Sequence, residues 1–495
     1  MPTLVGSILR HGLFRPRQTA VVDDRAEYSY GKLLLGTWHL ASHIEKHTDN
    51  PHVGIMLPPS GSFPMTLLGT WLLNRTAVPL NYLLRKNELR YVIEDSGIDT
   101  LFTVGKLLEV VGTEGVIPDH VKVVCVDELD FKGLPRPRFP RAVDAQDGSV
   151  ILYTSGTSGK PKGVMLTEEN FLTEIKAIDD AAHGLEIKTF LGVLPQFHSF
   201  GLTALTLWPL SRGNKIVYSA RFVPRKLHKL ICQHRPNVFF GVPAMFNAML
   251  SLKQAEPADF ESLKFSVAGG EPLPRSVTAS LKERFHLQVY EGYGLTETAP
   301  VTNCNVPGKI KEGTVGKALL GVRNVIVDDE GNQLGPDQDG EILIVGKNIM
   351  KGYYKLDQQT HDVITQINLD GKPVRAFKTG DIGHLDRDGF LSITGRKKEM
   401  LIVSGENVFP REIEEVLDQH ESVKASAIIG IKSELRGELP LAFVELNDGY
   451  ELDEQALKTF LREHLAPFKV PKEIRAIEEL PRNPTGKIMR RELKA

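Results

Sequence analysis

Short apolar runs alternate with longer amphipathic stretches through roughly the first 300 residues. Residues 53–57, 121–125, 238–242 and 265–268 read as strands, each a brief apolar run between polar or turn-forming residues. The intervals between them are long enough for crossover helices, which predicts parallel α/β sheets. The first residues pattern as an amphipathic helix leading into a strand at 20–22. From about 313 to 395, strands such as 325–327 and 341–345 follow closely, separated by turns at Gly331 and Gly389. That texture predicts antiparallel, barrel-like structure. Beyond it Pro410 opens a helix in the favoured first position, with Ile413, Val416 and Leu417 on one face. Leu457, Phe460, Leu461 and Leu465 mark another helical stripe, so the last part of the chain reads as a small α+β domain. The expected division is 1–397, with its β-rich part at 313–395, followed by 398–495.

Composition narrows the class. Of 495 residues, 41% are hydrophobic and 25% charged, the balance of an ordinary soluble chain. A formal net charge of −2 gives no reason to expect nucleic acid or an anionic membrane as partner. The apolar stretches at 67–73 and 200–210 fall well short of the ~20 residues of a membrane span, although peripheral contact with a membrane stays open. Cys125, Cys232 and Cys304 lie far apart and form no CxxC pair, which favours a reducing, cytoplasmic compartment over a disulfide framework or zinc ribbon. Arg10, Arg15 and Arg17 near the start belong to the first helix and its end rather than to a targeting segment, because the apolar run is too short for a signal peptide.

The densest chemical signal follows the apolar run 150–153. There Thr154, Ser155, Gly156, Thr157, Ser158, Gly159, Lys160, Pro161, Lys162 and Gly163 stand in succession. Glycines let backbone N–H groups approach a polyphosphate, hydroxyls donate further bonds, and lysines neutralise charge. The Walker spacing does not fit, and on composition alone a mobile surface loop explains the segment equally well.

Four other places carry candidate chemistry. Glu291, Gly292, Tyr293, Gly294, Leu295, Thr296 and Glu297 form a Gly-rich string ending in a hydroxyl and a carboxylate, with Gly270 upstream in a Gly-Gly-Glu-Pro string. Asp381 ends an expected strand at a turn, where such a residue is usually a local cap. Arg396, Lys397 and Lys398 make a basic cluster, and another closes the chain around Lys487. His198 sits in an apolar segment, where a satisfied core histidine is the commoner outcome.

Together these strings closely resemble the adenylate-forming superfamily, in its acyl-CoA synthetase branch, over nearly the whole chain. The resemblance implies an α/β fold: a large N-terminal domain of doubly wound sheets, a small β-barrel-like subdomain, and a small mobile α+β C-terminal domain hinged near Lys398. It implies that the loop from Thr154 to Lys162 holds the phosphates of ATP and that Thr154 and Glu297 bind Mg²⁺. Thr296 would donate to a phosphoryl oxygen. Gly270 and the segment Glu291, Gly292 and Tyr293 would line the nucleotide, while Asp381 and Arg396 would meet ribose or phosphate. Lys487 would stabilise charge during adenylation, and His198 would shield the carboxylate pocket. Rotation of the C-terminal domain would then bring Gly405 beside the incoming thiol of coenzyme A.

The implied reaction is ATP-dependent activation of a carboxylic acid to acyl-AMP, with acyl transfer to coenzyme A. No acid occurs between Ile187 and Arg221, which disfavours an amino acid substrate. Phe200, Leu202, Leu205, Val242, Met245 and Phe246 are candidate walls of an apolar acyl tunnel, so a medium- or long-chain fatty acid is expected. Acyl-acyl-carrier-protein synthetases and fatty acyl-AMP ligases, with a carrier-protein acceptor, are the nearest alternative. Only a short tail follows Lys487, so a fused carrier domain is not expected. A non-catalytic nucleotide-binding regulator is the alternative from another class, and the intact polar set argues against it.

Overall fold

The apolar runs of the first 300 residues build the parallel centres of two mixed sheets, edged by antiparallel strands, that share one hydrophobic core. The computed structural model describes residues 3–140, 148–154, 160–404, 406–433, 437–482 and 488–494. In the first sheet Thr19–Val22, Lys215–Tyr218, Thr189–Gly192, Val238–Gly241, Phe265–Ala268 and Val289–Gly294 are parallel neighbours in that order. In the second, Gly148–Thr154, Thr76–Pro79, His52–Ile55, Thr100–Thr103 and Lys122–Cys125 do the same. Strands such as Thr100–Thr103 and Val238–Gly241 are buried at every position, as expected where both faces of a sheet are covered. Val21 of the first sheet and Val53 of the second belong to one core cluster, with Leu33 and Leu67 of the intervening helices.

The expected first helix spans Leu4–Phe14; the Thr3 side chain accepts from the Gly6 N–H to cap it. Among the described residues, no helix is long and apolar enough to cross a membrane. The apolar run near 200–210 forms a π-helix, Phe200–Leu207, in which every residue but Phe200 is buried.

The β-rich region is a five-stranded antiparallel sheet: Val322–Val327, Gly340–Gly346, Lys372–Leu385 and Ile364–Leu369 in order, with Leu391–Arg396 also paired to Lys372–Leu385. Leu401–Val403 then opens a separate C-terminal sheet, whose longest strands are Val423–Ser433 and Gly437–Leu446. Helices Pro410–Leu417 and Glu454–His464 cover it with Ile413, Leu417, Leu457 and Leu461. The chain tail returns to this junction. Arg490 pairs with Glu399 at 3.2 Å and with Glu414 at 2.6 Å, and Arg85 Nη2 donates to Glu492 at 2.5 Å.

Candidate active site

Strand Val289–Gly294 passes the end of the first sheet and turns through the short 3₁₀ segment Thr296–Thr298. Gly294 permits that path, because a Cβ there would lie 1.8 Å from the Pro300 carbonyl oxygen. The turn sets Thr296 and Glu297 toward other elements. Ser199 Oγ donates to Thr296 Oγ1 at 3.5 Å, which brings the His198 segment against it. The Tyr353 hydroxyl donates to Glu297 Oε1 at 2.8 Å. Among the described residues no hydrogen bond reaches Oε2 of Glu297.

The Lys162 ammonium lies over the Tyr353 ring, 5.0 Å from its centroid. Lys162 starts strand Lys162–Thr167 and is paired in register with Thr154, at the end of Gly148–Thr154. Burial and the nearby Lys398 ammonium lower its pKa, while Glu297 opposes the shift. Lys162, Glu297 and Lys398 are therefore one electrostatic neighbourhood, with Thr154 beside Lys162 in the strand pair. A carboxylate and a hydroxyl with lysines beside them make a hard-oxygen donor set in a cationic surround, which fits Mg²⁺ with a polyphosphate.

Tyr293, on the same strand as Glu291 and Gly292, reaches the third sheet: its hydroxyl donates to Asp381 Oδ2 at 2.5 Å. Burial and the Asp381 charge hold that phenol well above its ordinary pKa. The sequence predicts Asp381 at a turn that ends a strand, and the structure corrects this. Strand Lys372–Leu385 continues through it, and the register with Gly340–Gly346 slips between Glu341 and Leu343 to admit a bulge. Gly380, at φ 71°, supplies the left-handed residue, and the Thr379 hydroxyl donates to the Ile342 carbonyl and accepts from the Asp381 N–H. The bulge aims a nearly fully buried carboxylate at Tyr293 and Arg396.

Glu291 accepts from the Leu273 N–H, and its carboxyl is pushed up to about 7, mainly by burial, with Arg411 opposing. Gly292 lies between Val267 and Cys304, and a Cβ there would meet their side chains at 3.2 and 3.5 Å. Gly270 follows strand Phe265–Ala268, where a Cβ would lie 3.9 Å from Val242.

The His198 ring is partly accessible, but its Nε2 is buried and has no hydrogen-bond partner. Burial alone pulls its pKa down to about 4. The ring packs against Phe197, with centroids 4.7 Å apart. Of the candidate tunnel residues, Leu202, Leu205 and Phe246 are fully buried core, whereas Phe200, Val242 and Met245 keep some exposure. A Cβ on Gly269 would meet Phe200 at 3.3 Å and one on Gly270 would meet Val242 at 3.9 Å, so these two border the Gly269–Gly270 segment, whereas Met245 lies by Gly241.

Ser155, Gly156, Thr157, Ser158, Gly159, Gly405 and Lys487 lie outside the described residues. Sequence reasoning missed Ser199 and Tyr353. Ser199 adjoins His198 and was legible as a hydroxyl in an apolar string, but Tyr353 carries no local signal.

The family model for AMP-binding enzymes matches residues 10–354, and that for the AMP-binding enzyme C-terminal domain matches 412–487. A long-chain-fatty-acid–CoA ligase of Bacillus subtilis is 31% identical over 97% of this chain and 91% of its own. The o-succinylbenzoate CoA synthetase of the same organism, in complex with its acyl-adenylate intermediate, superposes with a TM-score of 0.87 at 27% identity over 100% of this chain and 98% of that one. Its complex with ATP and magnesium ion gives 0.85 at 27% identity, covering 99% of each chain. The chain belongs to the AMP-binding enzyme family, and within it to the AMP-forming acyl-CoA ligases that use ATP, Mg²⁺ and coenzyme A.

Proposed function

We propose that the acid activated here is a medium- or long-chain fatty acid, converted to acyl-AMP with release of pyrophosphate and then transferred to the thiol of coenzyme A. The observation that carries this reading is the apolar border of Phe200 and Val242 beside Gly269 and Gly270, with no acid anywhere from Ile187 to Arg221. A carboxylate in that wall would hold a substrate ammonium; its lack suits an alkyl chain. Similarity to a long-chain-fatty-acid–CoA ligase supports the same choice, while similarity to an o-succinylbenzoate CoA synthetase makes an aromatic acid the competing outcome.

In this reading a carboxylate, repelled by the ATP anion, is brought to the α-phosphate. Thr154 and Glu297 hold Mg²⁺, which when bound offsets phosphate charge. The Thr296 hydroxyl donates to a phosphoryl oxygen, and Asp381 accepts from the ribose hydroxyls while its ion pair with Arg396 holds the carboxylate in place. Neutral His198 stands beside the acyl group as an uncharged shield. Lys487 stabilises the charge that builds up in the displacement. The loop Ser155, Gly156, Thr157, Ser158 and Gly159 cradles the departing phosphates. We place the hinge near Lys398, where the chain leaves strand Leu391–Arg396 and enters Leu401–Val403 of another sheet. Thiol transfer then proceeds past Gly405.

The test is a panel of fatty acids of increasing length, with o-succinylbenzoate, acetate and amino acids. Each is assayed with coenzyme A and with an acyl carrier protein. The highest kcat/KM should fall on a medium- or long-chain acid with coenzyme A. A best substrate among the short, aromatic or amino acids overturns the substrate, and a preference for carrier protein overturns the acceptor.

A further inference from the structure

Away from the strands that carry the active-site residues, three chemically different ligand groups meet at one point. Helix Pro224–His234 carries His228 and Cys232, four residues apart and so on one face. Asp259 comes from the neighbouring short helix Pro257–Phe260. His228 Nε2 lies 2.8 Å from Asp259 Oδ2 and 3.5 Å from Cys232 Sγ. The three ligand atoms all lie within 4.8 Å of one another.

A nucleophilic relay of acid, imidazole and thiol needs the imidazole to use two different nitrogens, one toward each partner. Here carboxylate and thiol both face Nε2, so the cluster is no relay. Groups that point at one spot, rather than in a chain, are arranged as ligands. Tetrahedral bonds of ~2.0–2.3 Å place neighbouring ligand atoms about 3.3–3.8 Å apart. The histidine–cysteine spacing already has that value, and the histidine–aspartate pair needs to open by only about half an ångström. The group is also held in place. Asp259 Oδ2 accepts from the Glu256 N–H at 2.9 Å, and the His228 ring packs on Phe260 with centroids 5.9 Å apart. Cys232 is exposed, which opens the cluster to solvent and leaves a fourth position for water.

We propose that His228, Cys232 and Asp259 bind a divalent transition-metal ion of the zinc type, which clasps the two helices together. One imidazole, one thiolate and one carboxylate favour zinc over magnesium or calcium, whose ligands are oxygens. Cys232 gives its proton to solvent as the sulfur–metal bond forms. None of the candidate active-site residues lies on either helix, so the ion is structural and separate from the Mg²⁺ of the reaction.

Cobalt(II) is the probe, titrated into the metal-free full chain. One equivalent should bind with tetrahedral d–d bands and a thiolate-to-cobalt charge-transfer band, and Zn²⁺ should displace it. Cys232→Ser should abolish the charge-transfer band, and His228→Ala should weaken binding by roughly 10²-fold or more, at least the loss seen on disturbing a ligand's support. A measurement on the unaltered protein guards against misfolding of variants: stoichiometric Zn²⁺ should protect Cys232 from alkylation, read by peptide mass mapping. Zinc that leaves Cys232 alkylation unchanged, or a cobalt spectrum unchanged in Cys232→Ser, overturns the site.

Discussion

Asp381 and Arg396 are register partners across an antiparallel pair, and Arg396 Nε donates to Asp381 Oδ1 at 3.0 Å. With Tyr293 on the other oxygen, the carboxylate is fixed at both ends yet keeps acceptor capacity for a ligand, since two oxygens offer about four lone-pair sites. Asp381→Asn removes the charge and turns an amide N–H₂ toward one of two donors. Hydrogen bonds to charged groups contribute about 1.5–3 kcal/mol, so kcat/KM for ATP should fall roughly 10–10²-fold. Acid-dependent ATP–pyrophosphate exchange reads this directly. An unaltered KM for ATP would take Asp381 out of the nucleotide site.

Glu297 offers a second test, because Tyr353 bonds one of its oxygens and the carboxylate lies within electrostatic reach of Lys162. Glu297→Gln preserves shape and the Tyr353 contact while removing the charge. Adenylation should slow by about 10²-fold or more, with more Mg²⁺ needed for half-maximal rate, as several kcal/mol of charge stabilisation depend on the ion. A Mg²⁺ titration that superposes on that of the unaltered enzyme counts against Glu297 as a ligand.

The lowered pKa of His198 has a consequence for stability. The folded value is about 4 against an ordinary 6.5, so between these values the unfolded chain binds the extra proton and the native state does not. The contribution is fully present above the ordinary value and is lost as pH falls from about 6.5 toward 4. Its size is up to about 3 kcal/mol, reduced by the partial accessibility of the ring. His198→Phe should flatten the acid limb of a urea-denaturation stability profile across that window. A variant with the same slope as the parent would mean that His198 titrates normally.

Much of this arrangement was legible because it is local. The alternation of apolar runs placed the parallel strands of both sheets, whereas the loop after Thr154 was ambiguous by composition and took its phosphate reading only from the resemblance of the whole string. Partnerships between distant segments were not legible. Tyr353 meets Glu297 across 56 positions and Tyr293 meets Asp381 across 88, and both depend on how separate sheets pack. The bulge at Asp381 was misread for a related reason. Gly380 is a turn residue by local rules, and only pairing with Gly340–Gly346 makes it a bulge inside a continuous strand. The tunnel residues divide likewise: Phe246 packs at 5.0 Å against Phe239 in the core, while Phe200, equally apolar, borders Gly269.

The sharpest prediction separates the two half-reactions. If Lys487 acts only while acyl-AMP forms, Lys487→Ala should slow that step by roughly 10²–10³-fold, the usual cost of losing one preorganised electrostatic donor. Thioester formation from supplied acyl-AMP should be largely spared. Gly405→Leu should do the reverse, since a branched side chain beside the thiol's path obstructs transfer and leaves ATP untouched. Both positions follow Lys398 in the chain, and the Arg490–Glu399 pair at 3.2 Å ties the described tail to the segment just after Lys398. A rotation about Lys398 would move Lys487 and Gly405 in concert, one out of the pocket as the other enters. Pyrophosphate release measures the first step, and thioester yield from synthetic acyl-AMP measures the second. Equal loss of both steps in both variants would show that the two positions serve the structure and that the two chemistries do not alternate through a domain movement.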